Sequence, residues 1–187
     1  MLLGAPTGQE LEGVRNELSQ LGSQFPKSTL LTGADATTDS FLQESERHSI
    51  IHIASHASPE GIELSDKYLS LKEIFEVKLS PGTLVVLSAC DTARSEGHAS
   101  SLAEAFQVAG ASTVIASLWE VDDLATAELF GHFYRNLRAG HSRDNALTLA
   151  QRTMQETQRW KSPYFWGGFV LIQRPRSPSK TQSSGSP

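Results

Sequence analysis

The sequence contains a single cysteine, Cys90, and a histidine, His56, in matching positions. Cys90 follows the apolar run Leu84 to Leu87 within LVVLSACDT, and His56 follows the run Ile50 to Ala54. Both runs read as strands buried on both faces, each passing abruptly into polar residues. In an open parallel sheet, the loops beyond the strands' C-terminal ends converge over a crevice. A thiol and an imidazole at that edge would make a Cys–His nucleophile site. The thiolate is the working nucleophile, so a thiol of pKa about 8.5 needs a lowered pKa or a neighbouring base. His56, in a loop of small residues, is the better general base and leaving-group acid.

The remaining candidates are weaker. His52 lies inside its strand and reads as a packed or hydrogen-bonded interior histidine. His98, in the polar stretch after Cys90, reads as solvent-facing, and His132 and His141 as surface residues of helices. Asp91, Asp122 and Asp123 follow strand ends and either cap helices or face the cleft; Glu96 is a further acid of the loop. An acid beside the thiol would favour a basic substrate side chain. Trp119 and Trp166 read as core or cleft-wall aromatics, either able to line a pocket for an extended peptide. His52 and His56 would share a face only on a helix, so no metal centre is expected, and no cofactor.

The elements that must position these residues alternate. Apolar spacing predicts a helix over 10–21 (Leu11, Val14, Leu18, Leu21) stopped by Gly22, a strand at 28–31, and a helix over 38–46 capped by Thr37 or Asp35. The strand at 49–54 leads into a polar loop over 55–70, where the alternating stretch Ile62 to Tyr68 forms either a small hairpin or a wrap around the site. A short helix near Leu71 to Phe75, the strand at 84 and a helix bearing Leu102 and Phe106 follow. Next come a strand at 112–118, a helix capped by Asp122 or Asp123, a second capped by Ser142, and a last strand at 169–173. This order predicts an α/β domain over 1–173 with a mostly parallel central sheet and helices on both faces. Residues 174–187 are rich in Pro and Ser with nothing to bury and read as a disordered tail. No dinucleotide or P-loop glycine motif and no GxSxG elbow is present.

Composition narrows the class. The formal net charge of -5 gives no basic face for nucleic acid or an anionic membrane. One cysteine allows no disulfide within the chain and suits a reducing, cytoplasmic setting. No apolar run reaches the roughly 20 residues of a membrane helix.

Four blocks together, IHIASHA (51–57), LVVLSACDT (84–92), SLAEAFQVAGASTVIASLWEVDD (101–123) and YFWGGFVLIQ (164–173), resemble the CHAT domain, a caspase-like family often found after tetratricopeptide repeats. The resemblance covers roughly 8–173 and implies a caspase-like three-layer sandwich shared with separase and gingipains, and a His–Cys dyad. Carried over by motif, the dyad is His56 and Cys90, with His52 as a structural histidine. It implies cleavage of a polypeptide substrate, with backbone N–H groups of Ala57 and Cys90 holding the oxyanion, and regulation by an upstream repeat domain. Two departures stand out: Ala57 replaces the family's usual glycine, and SEGHASS replaces a glycine-rich loop. The family's first strand would survive only as Met1-Leu2-Leu3, leaving an exposed sheet edge or a missing partner segment. A non-catalytic signalling or interaction module is the alternative. A small-molecule thiol hydrolase on the same fold would need a closed pocket instead of an open groove.

Overall fold

Adjacent side chains along the central strands enter different cores, and this alternation builds the domain. A computed structural model describes residues 2–5, 12–58, 61–88 and 98–174. In chain order the elements are β1 (Leu2–Ala5), α1 (Glu12–Gln24), β2 (Thr29–Thr32), α2 (Thr38–Ser45) and β3 (Ile50–Ile53). Three short strands follow, β4 (Ala57–Ser58), β5 (Gly61–Glu63) and β6 (Tyr68–Leu69), then α3 (Leu71–Glu76), β7 (Leu84–Leu87) and α4 (His98–Ala109). The last are β8 (Thr113–Ser117), α5 (Asp123–Arg138), α6 (Arg143–Glu156) and β9 (Phe169–Gln173).

Six strands form one sheet in the order β2-β1-β3-β7-β8-β9, parallel except for the β8–β9 pair. Ile51, Ile53, Val85, Leu87 and Val114 enter a core with Phe41 of α2, Ile74 of α3 and Phe106 of α4. Leu84, Val86 and Ile115 enter the opposite core with Leu18 of α1, Phe130 and Phe133 of α5 and Met154 of α6. Helices therefore cover both faces, the three-layer α/β arrangement expected. Each fully buried large side chain contributes about 1.5–3 kcal/mol of transfer free energy.

Four local expectations need correction. The N-terminal residues are more than a stub: Leu2–Ala5 pairs on both sides, with β2 and with β3. Gly22 does not stop α1, which runs to Gln24. A helical glycine costs only about 1 kcal/mol, and the fully buried Leu21 holds that turn down. His98 begins α4, so the helix starts earlier than its apolar stripe. The small hairpin is a three-stranded antiparallel sheet, β4-β5-β6. Gly61, which begins β5, has φ 138°, and a Cβ there would collide with the Leu69 carbonyl on β6.

At the sheet edge opposite the crevice, Arg143 fastens α6 to the strand starts. Its guanidinium donates to Ser112 Oγ (2.7 Å), Thr113 Oγ1 (2.8 Å) and the Gly82 carbonyl. Arg143→Ala is expected to lower stability by roughly 2 kcal/mol, the scale of hydrogen bonds from a charged group, read as an earlier urea midpoint at constant slope.

Candidate active site

β3 and β7 are parallel neighbours, with Ile53 opposite Leu87. His56 lies three residues past Ile53, and Cys90 three residues past Leu87. Adjacent parallel strands lie about 4.8 Å apart, and in sequence the two residues follow this opposed pair by the same offset. The sequence order reverses at the other flank of β3: β1 has β2 on one side and β3 on the other. Such a switch point is where α/β sheets form their ligand crevices.

His56 is exposed, while Ala54, Ser55 and Ala57 around it are buried. Three bonds hold that turn: Ala54 N–H donates to Gly4 O (3.0 Å), Ser55 Oγ to Glu63 O (2.5 Å) and Glu63 N–H to His56 O (2.8 Å). The backbone of His56 is thereby pinned to β1 and β5 while its ring is left facing solvent. Ala57 belongs to β4 and pairs with Ile62. Its backbone is extended, so alanine replaces the family's glycine without strain. Cys90, Asp91 and Glu96 lie outside the described residues.

The other candidate pocket residues divide by role. Asp122 is an N-cap: its Oδ1 accepts from Ala125 N–H at 2.9 Å, opening α5. Asp123 is the first residue of α5. Trp119, just past β8, donates from its indole N–H to Tyr164 O at 2.9 Å. Its ring lies so close to Gly168 that a Cβ there would come within 2.8 Å of it. The indole is thus a fixed wall at the end of the strand beside β7.

Beneath the crevice is a buried polar quartet that the sequence reading did not assemble. His52 Nε2 is 3.0 Å from Glu17 Oε1, with its N–H direction off the line to that oxygen. His52 Nδ1 is 3.0 Å from the Tyr134 hydroxyl. Ser88 Oγ donates to both Glu17 oxygens, at 3.1 and 3.0 Å. Burial, and then the nearby Glu17 carboxylate, hold the Tyr134 phenol well above its usual pKa. The phenol therefore keeps its proton, and the carboxylate 3.0 Å from Nε2 favours the tautomer with its proton on Nε2, in which Nδ1 accepts from the Tyr134 hydroxyl. His52 is the interior histidine expected. Glu17 and Ser88 carried a legible signal: Glu17 interrupts the inward stripe of α1 between Val14 and Leu18, and Ser88 ends an otherwise apolar run.

The small sheet beside His56 leads into α3 through a capping box. Ser70 Oγ accepts from Glu73 N–H, and Glu73 Oε2 accepts from Ser70 N–H at 2.9 Å. Lys67, at 2.5 Å, and then the Ser70 hydroxyl and N–H hold the Glu73 carboxyl down at about 2. A depressed carboxylate pKa stabilises the fold above its ordinary value of 4.5, and that stabilisation is lost as pH falls towards about 2. Glu73→Gln should accordingly shift the denaturation midpoint at pH 7 and progressively less at pH 4 and pH 3.

Among the described residues, no three His, Cys, Asp or Glu side chains are placed to hold a metal ion. No helix among them is long and apolar enough to cross a membrane.

Residues 2–174 match the CHAT domain family. Human tetratricopeptide repeat protein 28 is 34% identical over 113 residues, which is 58% of this chain and 4% of that protein. The chain thus corresponds to a small fraction of that much longer relative.

Proposed function

The chain belongs to the CHAT domain family, which is related to cysteine peptidases, and from that premise we propose that it is a cysteine endopeptidase domain acting through Cys90 and His56. The observation that carries the reading is the β3–β7 register, in which both residues follow opposed strand positions by the same offset. The pinned backbone and exposed ring of His56 support it.

In this mechanism the Cys90 thiolate attacks the scissile carbonyl carbon, and His56 carries the thiol's proton. The tetrahedral oxyanion is held by backbone N–H groups of Ala57 and Cys90. Collapse breaks the C–N bond as His56 protonates the leaving amine, leaving a thioester on Cys90. Water, deprotonated by His56, attacks the thioester, and the carboxylic acid and free thiol are released.

The substrate is an extended polypeptide laid across the strand ends, with Trp119 as one wall. Because Asp122 is committed to its helix cap, any preference for a basic side chain falls to Asp91, Glu96 and Asp123. An upstream tetratricopeptide-type repeat region is the proposed regulatory partner, by analogy with the repeats that name the human relative. The lone thiol suits a reducing, cytoplasmic setting.

A peptidyl chloromethyl ketone tests the assignment. Wild-type protein should be alkylated at Cys90 faster than a free thiol of the same pKa, and Cys90→Ala should not be alkylated. Alkylation no faster than a free thiol's and indifferent to His56 would instead make the chain a non-catalytic interaction module.

A further inference from the structure

Among the described residues, Glu17 and His52 are the one acid and the one histidine that are almost fully buried, at 2% and 0% exposure. Both belong to the quartet with Ser88 and Tyr134. A buried polar cluster is an expensive way to hold a core together, since well-packed apolar residues of similar volume often do as well or better. Its location is therefore informative. Ser88 is two residues before Cys90, and His52 is four residues before His56. Glu17 reaches both from α1, a helix on one face of the sheet. Ser88 is doubly held, since its N–H also donates to Ile53 O on β3 at 2.8 Å. Tyr134 on α5 closes the far side of the His52 ring, and Phe130 packs against that ring edge-on at 5.3 Å.

We propose that Glu17 is a positioning residue of the Cys90–His56 pair, with its carboxylate clamping the ends of β7 and β3 in the relation that catalysis needs. The inference rests on the peptidase reading for its catalytic consequence, while the clamp itself stands on the quartet's geometry. Glu17 touches neither substrate nor the reacting atoms. It acts through Ser88 and His52. A displacement of about 1 Å between reacting groups can cost roughly 100-fold in rate, so a clamp just below the crevice has leverage there.

The test compares wild type with Glu17→Ala, Glu17→Gln and Ser88→Ala, at a temperature where circular dichroism shows all four folded. Inactivation by the peptidyl chloromethyl ketone is resolved into a maximal rate and a half-saturating concentration, and iodoacetamide reports on the bare thiol. Glu17→Ala and Ser88→Ala should lower the maximal rate about 10–100-fold. The half-saturating concentration and the iodoacetamide rate should stay within about 2-fold. Glu17→Gln, which keeps a carbonyl acceptor for Ser88, should recover most of the loss. Unchanged maximal rates, or all three parameters falling together, would overturn the proposal.

If wild-type alkylation itself shows no dependence on His56, the peptidase reading fails and amide exchange decides the clamp. Glu17→Ala should then speed exchange at Leu87 and Ser88 about 10-fold or more, with exchange across α6 unchanged. No acceleration, or equal acceleration throughout, would reject it.

Discussion

Replacing His56 with alanine is expected to slow acylation of Cys90 by a peptide amide by about 100–10,000-fold, the usual range for a positioned acid–base group. Two losses combine. Without an imidazole to carry its proton, a thiol near its ordinary pKa of about 8.5 is only a few per cent thiolate at pH 7. The departing amine also leaves unprotonated, which is the harder half of amide cleavage. The two separate by choice of substrate. An activated ester with a good leaving group does not need the second proton transfer, so His56→Ala should lose much less on the ester than on the amide. They separate by pH as well: the variant's rate on the ester should climb as pH rises through about 8.5, tracking bare thiolate. Equal losses on ester and amide would show that the histidine does not serve the leaving group.

The largest effect on stability is expected from His52→Leu, about 3–5 kcal/mol, the cost of leaving a buried charge without its partner. Leucine removes the ring N–H facing Glu17 and the acceptor for the Tyr134 hydroxyl. The carboxylate then keeps only the Ser88 hydroxyl among the quartet's donors. The loss would appear as an earlier urea midpoint at constant slope. Glu17→Gln should be milder, because it removes the charge and keeps an oxygen for Ser88. The double variant His52→Leu/Glu17→Leu should recover much of the single variant's loss, since neither residue then leaves the other stranded. If the double loss equals the sum of the two single losses, the residues are not coupled, and the pairing described here is wrong.

β3, β7 and β8 were plain in the sequence because strands buried on both faces read as continuous apolar runs, and turn residues mark their limits. β1 was harder: LLGA is short and contains a glycine, and only pairing with both β2 and β3 makes it an inner strand. Gly22 misled for a related reason, since a glycine's small helical cost is outweighed when the adjoining turn is buried.

At the candidate site, chemical identity and place were separable. One thiol and one strand-end histidine, each following an apolar run, made Cys90 and His56 the candidates, because buried strands must end where polar residues begin. Asp122 remained open between cap and cleft until the geometry of α5 committed it to the cap. The register of Ile53 against Leu87 depends on which strands become neighbours, a contact between residues 34 apart in the chain that no local pattern specifies. The Glu17–Ser88 contact spans 71 residues and joins a helix to a strand end. Local propensity and periodicity thus determined the elements and the reactive residue types. Only the tertiary packing decided that the histidine strand and the cysteine strand lie side by side, and that a buried carboxylate sits beneath both.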